Sequence, residues 1–239
     1  MNFHEIKSIG AHLAGNTYPG RGIIIGKTAD GTAAVTAYFI MGRSANSRNR
    51  ILAEKDGCLY TEPFDASKVE DPSLIIYRAM RPCGNHLIVT NGDHTDTVWK
   101  GLTAGKSFDE ALAQREFEPD GPNWTPRISG LLTFGNGDFT YKMSILKSGD
   151  GEGSFCCRYG FHYPATAGLG HFIHTYHCDG NPIPSFQGEP KRVRIPDDID
   201  AFAGEVWDAL DENNKISLYV RYTDLKTGAQ TGRLINKYV

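Results

Sequence analysis

An α+β chain of stacked sheets with helices outside them is the fold this sequence predicts, and three observations carry the prediction. Short β-branched and aromatic runs recur along most of the chain, separated by Gly-, Asp- and Pro-rich turn signals. Helix signatures are confined to a pair of segments in the middle and one near the end. The elements after the last Pro/Gly-rich passage are too short to own a core, so they must dock on the earlier sheets. Strand groups flanking a helix pair fit layered sheets, and residues 1–239 are expected to form one domain.

Taken in order, Arg21 to Lys27 and Thr32 to Met41 read as a hairpin, because Thr28-Ala29-Asp30-Gly31 ends in the Asp-Gly turn signal. Ser73 to Ala79 and Asn85 to Thr90 read as two more strands around a Pro82-Cys83-Gly84 turn. Two helices follow, Thr95 to Ala104 and Phe108 to Glu116. Ser107 caps the second, and Glu110 completes a capping box. Strands resume at Arg127 to Phe134 and Phe139 to Leu146, linked by Gly135-Asn136-Gly137-Asp138, and continue at Ser154 to Tyr159 and His171 to His177. The Pro/Gly-rich passage from Asp179 to Pro196 reads as a linker. It leads to a helix, Asp198 to Leu210, and two strands, Ser217 to Tyr222 and Arg233 to Tyr238.

Composition bounds the function. A chain of 239 residues can bury a sizeable core without disulfides or metal. The net charge of −3, with acids and bases interspersed, lacks the basic field expected of a nucleic-acid or anionic-membrane surface. No apolar run approaches the ~18 residues of a membrane span. Met1 to Glu5 has neither the basic nor the apolar region of a signal peptide, so a cytoplasmic location is expected. Five cysteines form no CxxC pair and are an odd number, which argues for buried thiols rather than a disulfide framework.

The most chemically loaded stretch is Arg43-Ser44-Ala45-Asn46-Ser47-Arg48-Asn49-Arg50, which follows a strand. Its remaining residues are small or carry amides. Guanidinium groups grip phosphate or carboxylate in two places at once, so their convergence at a strand end suits a small anionic substrate. The ordinary alternative is a solvated loop whose arginines pair with surface acids. A second cluster lies between Glu118 and Arg127. Pro119 and Pro126 bias Glu118 and Thr125 toward extended backbone, so this loop can hold a carboxylate and a guanidinium in fixed positions.

Other motifs exclude more than they suggest. His171, His174 and His177 alternate faces in a strand and cannot converge on a metal. No HExxH, P-loop or nucleophile elbow is present, and Gly168-Leu169-Gly170 lacks the third glycine of a dinucleotide fingerprint.

Arg43-Ser44 with Arg48 after a strand, the Tyr77 strand, Glu118-Pro119-Asp120, Thr125-Pro126-Arg127-Ile128 and His174-Thr175-Tyr176 occur in the order found in the archaeal-type IMP cyclohydrolase family. The chain resembles especially that family's longer bacterial members, from roughly Tyr18 to the C-terminus. It departs from the archaeal pattern at Ser47, where asparagine is favoured, and in the continuation Asn49-Arg50.

The resemblance implies an N-terminal-nucleophile-hydrolase-like α/β/β/α sandwich without an N-terminal nucleophile, in keeping with Met1-Asn2. It implies closure of 5-formamidoimidazole-4-carboxamide ribonucleotide to IMP with loss of water, using no cofactor and no metal. By similarity Arg43, Tyr77 and Glu118 are the catalytic residues, with Tyr60 the alternative tyrosine. Arg48, Arg127 and Arg50 are the candidates to hold the phosphate, and Ser44, Thr125, His174 and Tyr176 complete the candidate substrate-binding set. The expected partner is a small-molecule purine nucleotide, with neither nucleic acid nor membrane, and a homo-oligomer is left open. Two alternatives stay beside this one: another cyclising or amide-hydrolysing enzyme on the same scaffold, and a non-catalytic purine-nucleotide-binding protein.

Overall fold

The computed structural model describes residues 4–69 and 76–239. A short helix α1 (Ile9–Leu13) precedes the expected hairpin, β1 (Gly22–Lys27) and β2 (Ala33–Met41). Gly31 closes that hairpin at φ 75°, a conformation that favours glycine. The arginine stretch is not all loop: Ser44 caps a single helical turn, α2 (Ala45–Arg48), by accepting from the Ser47 amide.

β3 (Ile51–Lys55) and β4 (Cys58–Glu62) are not among the expected elements. Their charged, half-exposed composition hides them, although Asp56-Gly57 between them is a hairpin signal, with both residues at positive φ. The strand expected at Ser73 to Ala79 falls partly outside the described residues. What is seen is β5 (Arg78–Cys83), which absorbs the Pro82-Cys83 expected as a turn. Proline is tolerated there because β4 pairs β5 only as far as Met80, which leaves that side of Pro82 without a ladder.

β6 (His86–Thr90), α3 (His94–Thr103) and α4 (Phe108–Leu112) follow. The capping box on Ser107 and Glu110 forms as expected, but α4 stops at Leu112 instead of Glu116. β7 (Arg127–Gly135), β8 (Asp138–Ser148) and β9 (Cys156–Pro164) form a meander, and β10 (Leu169–His174) ends before His177. The Asp179 to Pro196 passage is not a linker. It contributes β11 (Lys191–Arg194), paired with β10, and buries Ile183 and Phe186. α5 (Ile199–Ala209), β12 (Lys215–Asp224) and β13 (Gln230–Asn236) complete the chain.

The strands form two antiparallel sheets. One has six strands in the order β11-β10-β1-β2-β12-β13, and the other has seven, β3 through β9 in sequence. The late strand β12 docks on β2, as expected of a C-terminal segment too short to own a core.

Three cores define the layers. Ile23, Ile25 and Tyr38 from the first sheet meet Val89, Ile128 and Tyr141 from the second in the core between them. Phe202 and Val206 of α5 and Ile9 of α1 cover the outer face of the six-stranded sheet. Val98 of α3 and Phe108 of α4 cover the seven-stranded one. The cysteines are half-buried at positions 58, 83, 156 and 157 and exposed at 178, not fully buried as expected. Among the described residues no helix is long and apolar enough to cross a membrane.

Candidate active site

Four strand ends meet at one edge of the inter-sheet space: the start of β1, the end of β2, the end of β10 and the start of β7. There they enclose a cleft of about 280 Å³ lined by Tyr18, Arg21, Arg43, Ser44, Asn46, Ser47, Arg50, Glu118, Asp120, Asn123, Thr125, Tyr176 and Ile183. Six of the residues predicted from sequence therefore share one cavity: Arg43, Ser44, Arg50, Glu118, Thr125 and Tyr176.

The arginines differ in what already occupies them. Arg43 stands at the mouth, a third exposed, paired with Asp179 and donating to the Gly180 carbonyl at 2.9 Å. Its guanidinium also lies 5.0 Å from the Tyr18 ring centre, which holds it in place. Arg48 is turned out of the cleft by α2 and donates to Gly42 O at 3.1 Å and Asn214 Oδ1 at 3.4 Å.

Arg50 is only 1% exposed. Its Nε reaches Ser47 O at 2.7 Å and Nη2 reaches Met41 O at 3.3 Å, while Nη1 is buried with no partner among the described residues. Burial and the nearby charge of Arg21 both push its pKa down. A buried guanidinium hydrogen-bonded only to carbonyls has no contact ion pair among the described residues, which is costly for stability and useful for an anion.

Arg21, absent from the predicted set, lies 3.6 Å from Glu118, and its Nε is likewise unpartnered. Burial opposes its charge, but Glu118 together with the Tyr77, Tyr176 and Tyr38 phenols more than offsets this and holds its pKa well above the usual value. The signal that could have found it is a lone arginine after Gly20, which adopts positive φ against Thr175 and Tyr176 at the start of a buried strand.

Glu118 is 2% exposed, and its carboxyl is raised above the ordinary range because burial outweighs the charges of Arg21 and Arg127. The loop that carries it is self-supporting. Glu118 N donates to Thr125 O at 2.9 Å, and Asp120 accepts from Thr125 N at 2.7 Å and from the Thr125 hydroxyl. Because that hydroxyl proton is committed to Asp120, the Tyr176 phenol donates to Thr125 Oγ1.

Tyr77 is buried just behind this wall. Its hydroxyl is 2.7 Å from that of Tyr38, and both phenols lie within electrostatic reach of Arg21 and Arg50. Tyr60 sits elsewhere, accepting from Arg78 Nε at 3.3 Å.

Two further predicted residues are not brought into the cleft. Arg127 lies on the far side of Glu118 and donates to Asp93 at 2.8 Å and to His94 Nδ1 at 3.2 Å. His174 donates through Nδ1 to Tyr176 O at 2.7 Å and packs against Phe172 and Phe186. Burial lowers its pKa to about 3, so it is neutral. His171 bonds the Tyr141 hydroxyl at 2.7 Å and stacks on Tyr163, so the histidines have separate partners. Among the described residues no three His, Cys, Asp or Glu side chains are placed to hold a metal ion.

With this geometry in view, the comparisons are specific. A family model described as IMP cyclohydrolase-like protein matches residues 18–228. A protein named IMP cyclohydrolase from Methanopyrus kandleri is 29% identical over 184 residues, covering 71% of this chain and 89% of that protein. One of the same name from Methanococcus aeolicus is 27% identical over 165 residues, covering 67% and 75%. One from Halobacterium salinarum is 29% identical over 119 residues, covering 48% and 57%.

Proposed function

Because the chain belongs to the IMP cyclohydrolase-like family, we propose that it closes 5-formamidoimidazole-4-carboxamide ribonucleotide to IMP with loss of water. The observation that carries this reading is Arg50, a buried guanidinium with an unpaired Nη1 facing a cleft that also holds a buried carboxyl of raised pKa, Glu118. A site that only stored a nucleotide would need the anion grip. It would have no use for a carboxyl poised for proton transfer.

The reaction joins a poor nucleophile, the carboxamide nitrogen, to the formamide carbon of the same molecule. Glu118 takes the nitrogen's proton as the C–N bond forms, and the carbonyl oxygen becomes an oxyanion. Arg50 donates to that oxyanion from a dry position, with Arg21 beside it. Glu118 passes that proton to the oxyanion, giving a hydroxyl. It then takes the proton of the former formamide N–H and delivers it to the hydroxyl, which departs as water while the ring C=N bond forms. A positioned acid/base contributes about 10²–10⁴-fold and an oxyanion donor about 10²–10³-fold. Tyr77, held against Tyr38, supports the same charges from behind the wall.

The phosphate, the most hydrated part of the substrate, suits the mouth, where Arg43, Ser44 and Ser47 are found. On this reading Arg43 grips and Arg50 acts on the reacting oxygen, which exchanges the roles expected of them from sequence. Asp120, Thr125 and Tyr176 position the Glu118 loop rather than taking part in the chemistry.

The finer fold assignment belongs to the same reading. Two facing antiparallel sheets, with α1 and α5 on one side and α3 and α4 on the other, support an N-terminal-nucleophile-hydrolase-like sandwich. β12 paired to β2 supports treating residues 1–239 as one domain. A small-molecule purine nucleotide is the partner and the cytoplasm the setting. The test is direct: purified protein incubated with the formamido substrate should form IMP at a catalytic rate, and absence of turnover with the folded protein overturns the assignment.

A further inference from the structure

We propose that Arg115, Arg127 and Arg158 form a second anion site, separate from the cleft and behind the Glu118 loop, that takes a phosphate group. The three side chains line an open recess of about 400 Å³ whose floor includes Phe117, the residue before Glu118. They come from three different elements: Arg115 from the turn after α4, Arg127 from the first position of β7, and Arg158 from β9.

Their partners leave the recess short of negative charge. Arg115 Nη2 and Arg127 Nη1 share a single acceptor, Asp93 Oδ1, with Arg127 at 2.8 Å. Arg158 meets no carboxylate among the described residues. Its Nη1 donates to the Leu112 carbonyl at 3.2 Å and to the Arg115 carbonyl. The recess also carries Glu116, which is exposed and forms no ion pair with these arginines. Among the described residues the three guanidiniums therefore share one contact ion-pair carboxylate, Asp93, while Arg127 acts on Glu118 at longer range.

A tetrahedral oxyanion matches what is left over. Each guanidinium has a fork of donors, and a phosphate can accept from several forks at once, which one carboxylate oxygen cannot. Arg127 is 7% exposed at its side chain, so its contribution would be little screened by solvent. Arg127 is expected from sequence to hold the substrate's phosphate in the cleft, but its guanidinium lies outside the cleft and lines this recess instead. The site also adjoins the reaction centre, because Arg127 is among the charges that act on Glu118.

The same chemistry is offered by free phosphate and by the terminal phosphate of a nucleotide, so both are used as probes. Inorganic phosphate and ATP are titrated calorimetrically into the wild-type protein, Arg115→Ala and Arg158→Gln at matched ionic strength, and IMP into the same three. We expect at least one probe to bind the wild type and to lose about tenfold or more in affinity in both variants, with IMP affinity unchanged. Tighter binding of phosphate identifies the free ion as ligand, and tighter binding of ATP identifies a nucleotide.

Wild-type protein that binds neither probe, or isotherms unchanged in either variant, would overturn the proposal. Arg115→Ala is the deciding variant if Arg158→Gln disturbs the contact with Leu112, since the Arg115 guanidinium bonds Asp93 alone among the described residues. The outcome is independent of turnover. A protein that binds phosphate here yet makes no IMP loses the proposed function and keeps this site.

Discussion

The two ends of the sheet pair carry recesses of opposite character. At the end away from the cleft, the hairpin turns after β5, β7 and β12 enclose about 370 Å³ lined by Gly84, Gly137 and Gly228 together with His86 and Asp138. Its polar groups are spoken for: His86 Nδ1 meets Thr133 Oγ1 at 3.0 Å and Asp138 meets Lys27 at 3.0 Å. The cleft end is smaller, about 280 Å³, yet it holds Arg21 and Arg50 with buried unpartnered nitrogens and Glu118 with a raised pKa. Between these two recesses, size alone would choose the wrong one. What separates them is unsatisfied buried charge, which a fold tolerates only where something else uses it.

The sharpest way to break this contrast is to remove Arg50. Arg50→Ala takes away the oxyanion donor and the buried charge together, so kcat/KM for IMP formation should fall about 10³-fold, with a native circular dichroism spectrum. A loss under tenfold would mean that the buried guanidinium serves the fold instead.

Glu118→Gln comes next. It keeps the shape and removes the titratable proton, so kcat should fall roughly 10²-fold with IMP affinity little changed. As the base, wild-type Glu118 must be ionised. Activity should therefore be lost on the acid side, as pH falls through a pKa raised above the usual carboxylate value of about 4.3. That limb should vanish in the variant, and a pH–rate profile of unaltered shape would remove Glu118 from proton transfer.

Arg43→Ala tests the division of labour among the arginines. At the mouth it should act on binding, raising KM about tenfold while kcat stays near native. A fall in kcat matching that of Arg50→Ala would instead restore Arg43 to the catalytic role that the sequence resemblance suggested.

Much of this end of the molecule was legible in the residues, because its signals are local. The arginine run marked the mouth, and the prolines around Glu118 marked a stiff loop. The alternation of His171 and His174 correctly separated them. Which arginine faces the cleft was not legible, since it depends on one turn of α2 that sends Arg48 back to Gly42 O and toward Asn214, a residue far along the chain. Arg21 escaped for the same reason, since nothing near it in sequence is acidic and its partner Glu118 arrives from the other sheet's loop. Half-exposed strands such as β3 and β4 lack the apolar alternation that would announce them, and β11 hides in a Pro/Gly-rich passage whose composition imitates a linker.

The smallest expected effect belongs to the opposite end and serves as the control. Asp138 begins β8 and is half-exposed, and its carboxylate accepts from Lys27 at 3.0 Å and from its neighbour's amide at 2.8 Å. A pair whose carboxylate is half in water contributes about 0–1 kcal/mol, because solvent screens Asp138 even though the Lys27 side chain is largely covered. Asp138→Asn keeps the acceptor for the Phe139 amide and removes only the charge, so stability should drop by no more than about 1 kcal/mol. Because Lys27 and Asp138 stand at the far end of the sheets from Glu118, kcat and KM should both remain within about twofold of native, since such a surface change reaches no reacting group. A larger change in kcat would show that the two ends are coupled through the shared core of β1, β7 and β8, and the contrast between a working end and an inert one would no longer hold.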